Sequence, residues 1–380
     1  MKIFIFLLLV LLLNAKERER YYTSPDAVEN LIKSQNSFSL KETLKRDLGL
    51  SLGADYHLLG FRASSSLGSR NSSSEVVRLF GEWKKEQNSS GSLVFKIEHR
   101  LSFTKLSPVD FSTDLGYAGL VQSTYSNQKL RLTHLYWKQN FKEEEASIFA
   151  GFLDVSDYVD TYLLISPWDG FGNMVFATGS ATIGGLPDGA LGVMGAKWLN
   201  SRVYVVGSFA DATADASNPL SGSIKNKKFF KSFEIGFVPA KERLYFDNFH
   251  ITLWHIDKTK NSKKGYGLSF SLTHTFNDYM LGFLRGGWSK DGGALLSKSL
   301  SGGFGYKIGD DVIGFGLNWG IPNKELYGLS HPQWTSEIFY RYQVGKNIQI
   351  TPSCQLLINP ALNPKKDVIA LMGLRFEVKF

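Results

Sequence analysis

Cysteine is all but missing, with Cys354 the only one in 380 residues. A lone thiol makes no intramolecular disulfide, so no disulfide framework holds this chain. Cys354 shares the apolar parity of its strand with Ile350, Leu356 and Ile358, which makes it a lipid-facing or packed thiol. Proline is scarce at 11 residues, and there is no run of Pro, Ser or Gln to mark a disordered linker. Beyond the extreme N-terminus no segment approaches the roughly 18 consecutive apolar residues of a helical span. Charge of one sign is also lacking: the formal excess is +8, and the Lys and Arg residues are scattered along the chain. Nucleic-acid binding wants a clustered basic stripe, so that class is set aside. Catalytic signatures are missing as well. There is no Gly-x-Ser-x-Gly elbow and no His-Glu-x-x-His, and the seven histidines show no ligand spacing. No enzyme, cofactor or metal is expected, although a Ser/His/acid cluster assembled only in space would leave no such motif.

What the chain has in abundance is glycine, at 37 residues, and aromatics, with 28 Phe, 16 Tyr and 8 Trp. That combination suits many strands with tight turns and interfacial girdles. The C-terminus is the clearest case. Val368, Ala370, Met372, Leu374, Phe376, Val378 and Phe380 fall on one face, and Arg375, Glu377 and Lys379 end the other. Successive strand side chains point to opposite faces, so this strand is greasy outside and polar inside. The expected class is all-β, a transmembrane antiparallel β-barrel, in a single domain.

The first 15 residues read as a signal peptide: Lys2 precedes an apolar run from Ile3 to Leu13, and the cut falls after Ala15. As a helix that run is about 16 Å long, too short for a hydrocarbon core of roughly 30 Å. Residues 16–48 form an N-terminal periplasmic segment, with a helix start at Ser24 to Ala27 and Val28, Leu31, Ile32, Leu40 and Leu44 at broken helical spacing. Residues 49–380 form the barrel. Seventeen strand-like runs recur there, one of them over 172–182. Single-chain bacterial barrels hold an even number of strands, so 16 are expected. Residues 105–129, 211–228, 289–299 and 320–333 would be extracellular loops, and 307–311 and 344–347 tight periplasmic turns.

Alternation also assigns faces. Lys96, Glu98 and Arg100 face the lumen opposite Phe95, Ile97 and Leu101. Glu234 faces in between Phe233 and Ile235. Glu337, Phe339, Arg341 and Gln343 form one inner set, Gln355 belongs to the next strand, and Arg375 and Glu377 to the last. A slip of one residue would invert each assignment. Mixed charges, amides and an aromatic can hydrogen-bond sugar hydroxyls and stack on a pyranose, whereas a ring of one sign would select ions. The plain alternative is that these charges only solvate the wall and pair across strands.

Several segments resemble the carbohydrate-selective porin family (OprB-type). They include Gly151-Phe-Leu-Asp154 with Asp157-Tyr-Val-Asp160, then Trp254-His255-Ile-Asp257, Phe283-Leu-Arg285, Glu337-Ile-Phe339-Tyr340-Arg341-Tyr-Gln343 and Gly373-Leu-Arg375. The Trp-Gly-Gly-type segment of the family is missing near residues 30–45. The resemblance implies a 16-stranded bacterial outer-membrane barrel that passes mono- or small oligosaccharides by passive diffusion through a pore narrowed by loops. It also implies that Glu337, Arg341, Gln355 and Arg375 are lumen positions and that Arg285 matches a family arginine, while the parity of 278–288 is ambiguous. Expected partners are carbohydrate solutes, outer-membrane lipid and the barrel-assembly machinery reading the strand that ends at Phe380. A homo-oligomer is left open. The competing readings are a non-selective porin and a structural or adhesive barrel.

Overall fold

The computed structural model describes residues 25–34, 39–86, 89–141, 145–219 and 225–380, so the proposed signal peptide lies outside the described residues. Two short helices come first, α1 (Val28–Lys33) and α2 (Ser39–Leu48), where one helical segment was expected. Sixteen strands follow. The first eight are β1 (Leu50–Ala63), β2 (Asn71–Trp83), β3 (Gly91–Ser102), β4 (Lys129–Phe141), β5 (Ala146–Asp154), β6 (Asp188–Trp198), β7 (Val203–Asp211) and β8 (Phe229–Phe237). The rest are β9 (Asn248–Ile256), β10 (Gly265–Thr275), β11 (Met280–Lys290), β12 (Leu296–Ile308), β13 (Asp311–Pro322), β14 (Gln333–Val344), β15 (Ile348–Ile358) and β16 (Val368–Lys379). Each strand pairs antiparallel with its sequence neighbours, and β1 closes on β16 with His57 opposite Glu377. Closure leaves no unpaired strand edge, as a spanning sheet requires.

The seventeenth run, 172–182, is not a strand. It forms 3-10 turns at Met174–Phe176 and Thr178–Ala181, with Gly179 and Ser180 left-handed. Its Val175 and Phe176 are apolar because they pack inside the barrel, not because they alternate. They belong to the longest connection, 155–187, which folds inward and was missing from the expected loops. The expected loop 289–299 shrinks to 291–295, since β11 and β12 continue through it. The other long connections, 103–128, 212–228 and 323–332, share its rim, while the opposite rim has short turns such as 309–310 and 345–347.

Face polarity follows the alternation. Phe233, Ile235 and Phe237 on β8 are 49%, 45% and 49% exposed, while Glu234 between them is 2%. Cys354 also points outward, between Ile338 and Met372 of the neighbouring strands. The inner wall is not uniformly polar, however. Leu59, Phe61, Val76, Ile369 and Leu371 are buried with Phe111, Leu115, Tyr117, Tyr125 and Trp168 from the inward connections. The inner face of β16 therefore starts apolar beneath a loop and turns charged only at Arg375 and Glu377.

The N-terminal segment enters the barrel. Ala27, Val28 and Leu31 are buried with Phe80, Val94, Tyr136 and Phe149 of the wall. Asp26 accepts a hydrogen bond from Ser166 at 2.8 Å, Glu29 lies 3.4 Å from Lys138, and the Asn30 amide donates to the Tyr245 hydroxyl at 3.4 Å. Lys138 and Tyr245 lie at the short-turn rim, which puts α1 in that half of the lumen. Then α2 runs along the rim, where Lys41 donates to the carbonyl of Phe380. The chain enters β1 through Gly49 at φ 67°, where an added Cβ would stand 1.9 Å from the Lys84 carbonyl oxygen. Only glycine fits that turn.

Candidate functional site: the inner wall and its inward segment

All twelve residues singled out by alternation and resemblance sit on inward-facing strand positions. Most of them hold the inward segment in place instead of facing an open channel. Lys96 reaches Asp157 at 2.7 Å, and His134 Nε2 meets the same carboxylate at 2.9 Å. Glu234 accepts hydrogen bonds from the Asp160 amide at 2.7 Å, Thr252 at 2.7 Å and Tyr204 at 3.2 Å. Arg285, fully buried, pairs with the Asp160 carboxylate, donates to Ser271 at 2.7 Å and stacks 4.1 Å over Tyr162. Its parity was ambiguous because β11 is apolar on both faces: Leu281 and Phe283 point in, Leu284 out.

The opposite wall does the same with other groups. Glu337 accepts from the amides of Gly172 and Asn173 at 2.8 and 2.9 Å. Phe339 packs edge-on against Phe171 with centroids 5.0 Å apart, so its ring is already covered. Arg341 pairs with Asp169 at 3.3 Å. Gln355 accepts from Asn173 at 3.0 Å and donates to the Val121 carbonyl at 2.9 Å. Arg375 donates to the carbonyls of Pro167 and Gly170 at 2.8 and 2.9 Å. Gln343 stays within the wall, donating to Gly345 and Ile348.

The segment's acids answer to this wall. Burial alone would push the Asp157 carboxyl up, but Lys96 and His134 together hold it well below its ordinary range. Asp160 is treated alike, burial being overcome by Arg285 and His250. For Asp26 burial wins: it pushes the carboxyl up to about 8, with Arg78 and Ser166 opposing and Asp157 and Asp169 adding to the rise.

Further wall residues escaped the sequence reading, Asp55, His57, Arg78 and Arg131 among them. Arg78 forks onto Asp55 at 2.8 and 2.7 Å and stacks 4.4 Å over Trp168. Arg131 lies 3.9 Å from Glu98 and pairs with Asp188, while Arg100 donates to Glu98 at 2.8 Å. Arg78 lies between Val76 and Phe80 on its face, so strict apolar-out alternation fails on β2. Asp55, His57 and Glu377 form a compact His-carboxylate cluster. Arg78 already neutralises Asp55, and Lys379 lies 3.5 Å from Glu377, so these ion pairs balance both carboxylates of the cluster.

At the long-loop rim a cleft of about 290 Å³ opens beside Arg100, lined by Asp110, Ser123, Ser126, Asn127 and Gln128. Its hydroxyls, amides and carboxylates suit a polyhydroxylated solute. The cleft ends on Arg100, which is paired with the buried Glu98 behind it.

Comparison with known proteins agrees with this architecture. Residues 256–380 match the profile of the carbohydrate-selective porin, OprB family. No curated protein sequence matches the chain. Among solved structures, the high-pH structure of Pseudomonas putida OprB superposes with a TM-score of 0.75 at 13% identity, covering 90% of this chain and 96% of that one. The low-pH structure of the same protein gives 0.55 at 14% identity, covering 89% and 95%. A triple mutant of Rhodopseudomonas blastica porin gives 0.52 at 11% identity, covering 86% and 99%. At these identities the superpositions establish the fold, and the family profile matches the C-terminal third of the chain.

Proposed function

We infer that this chain is a carbohydrate-passing porin of the bacterial outer membrane, with its long-loop rim outward and its short turns in the periplasm. The cleft ending on Arg100 is the observation that carries the carbohydrate reading. It offers donors and acceptors of both signs at the mouth of a closed barrel. That is what a neutral, hydroxyl-rich solute needs and what an ion filter avoids. Support also comes from the family profile over residues 256–380. The outer wall of exposed Leu, Ile, Phe and Trp fits lipid contact, and the strand ending at Phe380 fits recognition by the barrel-assembly machinery.

The roles of the wall residues divide accordingly. Arg100 meets the solute first, and Glu98 holds it in place. Lys96, Glu234, Arg285, Glu337, Phe339, Arg341, Gln355 and Arg375 act on the path by fixing the inward segment that narrows it. Glu377 and Gln343 line the lower wall.

The test is a planar-bilayer recording of refolded protein with glucose or maltose added. Conductance that falls as sugar is titrated in is expected, with the effect weakened in Arg100→Ala. A channel indifferent to both sugars would leave a non-selective porin, and no conductance at all would leave a structural barrel.

A further inference from the structure

The lysines that look scattered along the sequence are gathered by the barrel on one stretch of outer wall. Strand pairing lines up Lys231, His255, Tyr266 and Lys290 side by side across β8 to β11. All four occupy outward positions, in register with the lipid-facing set. One step down, the next outward row is Phe233, Leu253, Leu268, Trp288 and Lys298. The step after that is apolar, with Ile235, Ile251 and Phe270. Two residues along a strand span about 7 Å, so cations stand one side-chain length above the greasy band.

The adjoining connections add to the charge. Lys258, Lys260, Lys263 and Lys264 are exposed in 257–264, and Lys225, Lys227 and Lys228 are exposed just before β8. With the three strand lysines they make ten cations, against Asp257, Asp291 and Glu325 in the same region, an excess of seven on a chain whose formal charge is +8. Neutralisation on the spot is weak: Lys231 lies 3.9 Å from Asp257 and Lys263 3.4 Å from Glu325. The matching rim on the far wall carries Trp334, Ile358 and Val368 in one outward row, with no charge. Because Lys231, Lys290 and Lys298 point away from the lumen, steering of solutes into the pore does not explain them.

We propose that this wall of β8–β12 binds the phosphate groups of a glycolipid in the leaflet at the long-loop rim, with lysines on the phosphates and Tyr266 and Trp288 at the headgroup boundary. Interfacial aromatics with flanking cations are the arrangement that anionic headgroups recognise. The proposal rests on the membrane reading of the barrel.

Purified protein in detergent would be mixed with lipid A, with and without its phosphates, and examined by native mass spectrometry. Phosphorylated lipid A should be retained and the dephosphorylated form lost. The triple variant Lys231→Gln, Lys290→Gln, Lys298→Gln should bind the phosphorylated form about a hundredfold more weakly, three cations each acting as they do at an anionic lipid surface. Arg62→Gln, at an exposed outward position of β1 opposite Met372, should bind like the wild type. Equal retention of the two lipids by the wild type would overturn the proposal, and that comparison needs no variant to fold. So would displacement of the lipid by millimolar inorganic phosphate, which would mark a site for free anions. Bilayer conductance measured on the same preparations reports the porin reading separately, and the triple variant should keep it.

Discussion

At the scale of single residues, Arg285 and Asp26 set the two strongest expectations. Arg285 is sealed in the wall and faces the equally buried Asp160 of the inward segment. Removing one member of a buried pair strands the other charge, which costs about 3–5 kcal/mol. Arg285→Met should therefore lower the unfolding free energy by about 3 kcal/mol, the low end of that range, because His250 still contacts Asp160 at 2.9 Å. Denaturant titration of the refolded barrel measures this, and a change near zero would mean that the pair does not hold the segment. Asp26 gives a pH dependence of defined sign. Its carboxyl is raised by burial from 3.8 to about 8 where α1 docks, so the docked state prefers the protonated acid. Docking should be tightest in acid, weaken as pH rises from about 4 towards about 8, and level off above. Hydrogen exchange over residues 25–34 should show protection falling across that window, and Asp26→Asn should flatten the curve. Arg78 and Ser166 face the carboxyl and oppose the rise, while Asp157 and Asp169 add to it.

At the scale of elements, strands and inward segments obey different rules, and this decides what the sequence could reveal. A strand between lipid and lumen must alternate, so Phe233, Glu234 and Ile235 announce their faces without help. The same logic put Lys96, Glu98, Arg341 and Arg375 on the inner wall. It failed where the wall meets packed chain and not water, as at Val76, Arg78 and Phe80, or at Leu281 and Phe283. The connection 155–187 has no period because each apolar residue is fitted to its own place on the wall. Met174, Val175 and Phe176 therefore mimicked a short strand. Phe339 was legible as an inner aromatic, but its partner Phe171 was not, since nothing in the local pattern marks a loop residue that returns to a wall over 160 positions away in sequence. Which wall residues α1 docks on was equally hidden, because partners such as Lys138, Ser166 and Tyr245 lie far from it in sequence. Deleting residues 25–34 should leave the strand register intact, as no ladder includes them, and should raise single-channel conductance by clearing the short-turn half of the lumen. Bilayer recordings with unchanged conductance would mean that α1 does not obstruct the path.

At the scale of the whole molecule, the barrel works as two surfaces that share one backbone, and the cost of a charge depends only on which surface receives it. Leu284 and Arg285 are consecutive at the middle of β11, yet Leu284 is 43% exposed on the outer wall and Arg285 is fully buried on the inner. Inside, a guanidinium is met by Asp160, Ser271 and the Tyr162 ring. Outside, the same group would face hydrocarbon, and an arginine at the bilayer midplane of a barrel costs about 2–4 kcal/mol. Leu284→Arg should therefore destabilise the barrel by that amount when it is unfolded by denaturant from lipid vesicles. In a detergent micelle, where water reaches the wall more readily, the penalty should shrink. Leu284→Ala separates the lost packing from the introduced charge and should cost far less than the arginine. If the arginine were tolerated in vesicles as well as the alanine, the outer wall of β11 would not face hydrocarbon, and the assignment of faces would have to be inverted for that strand and for the neighbours whose register it fixes.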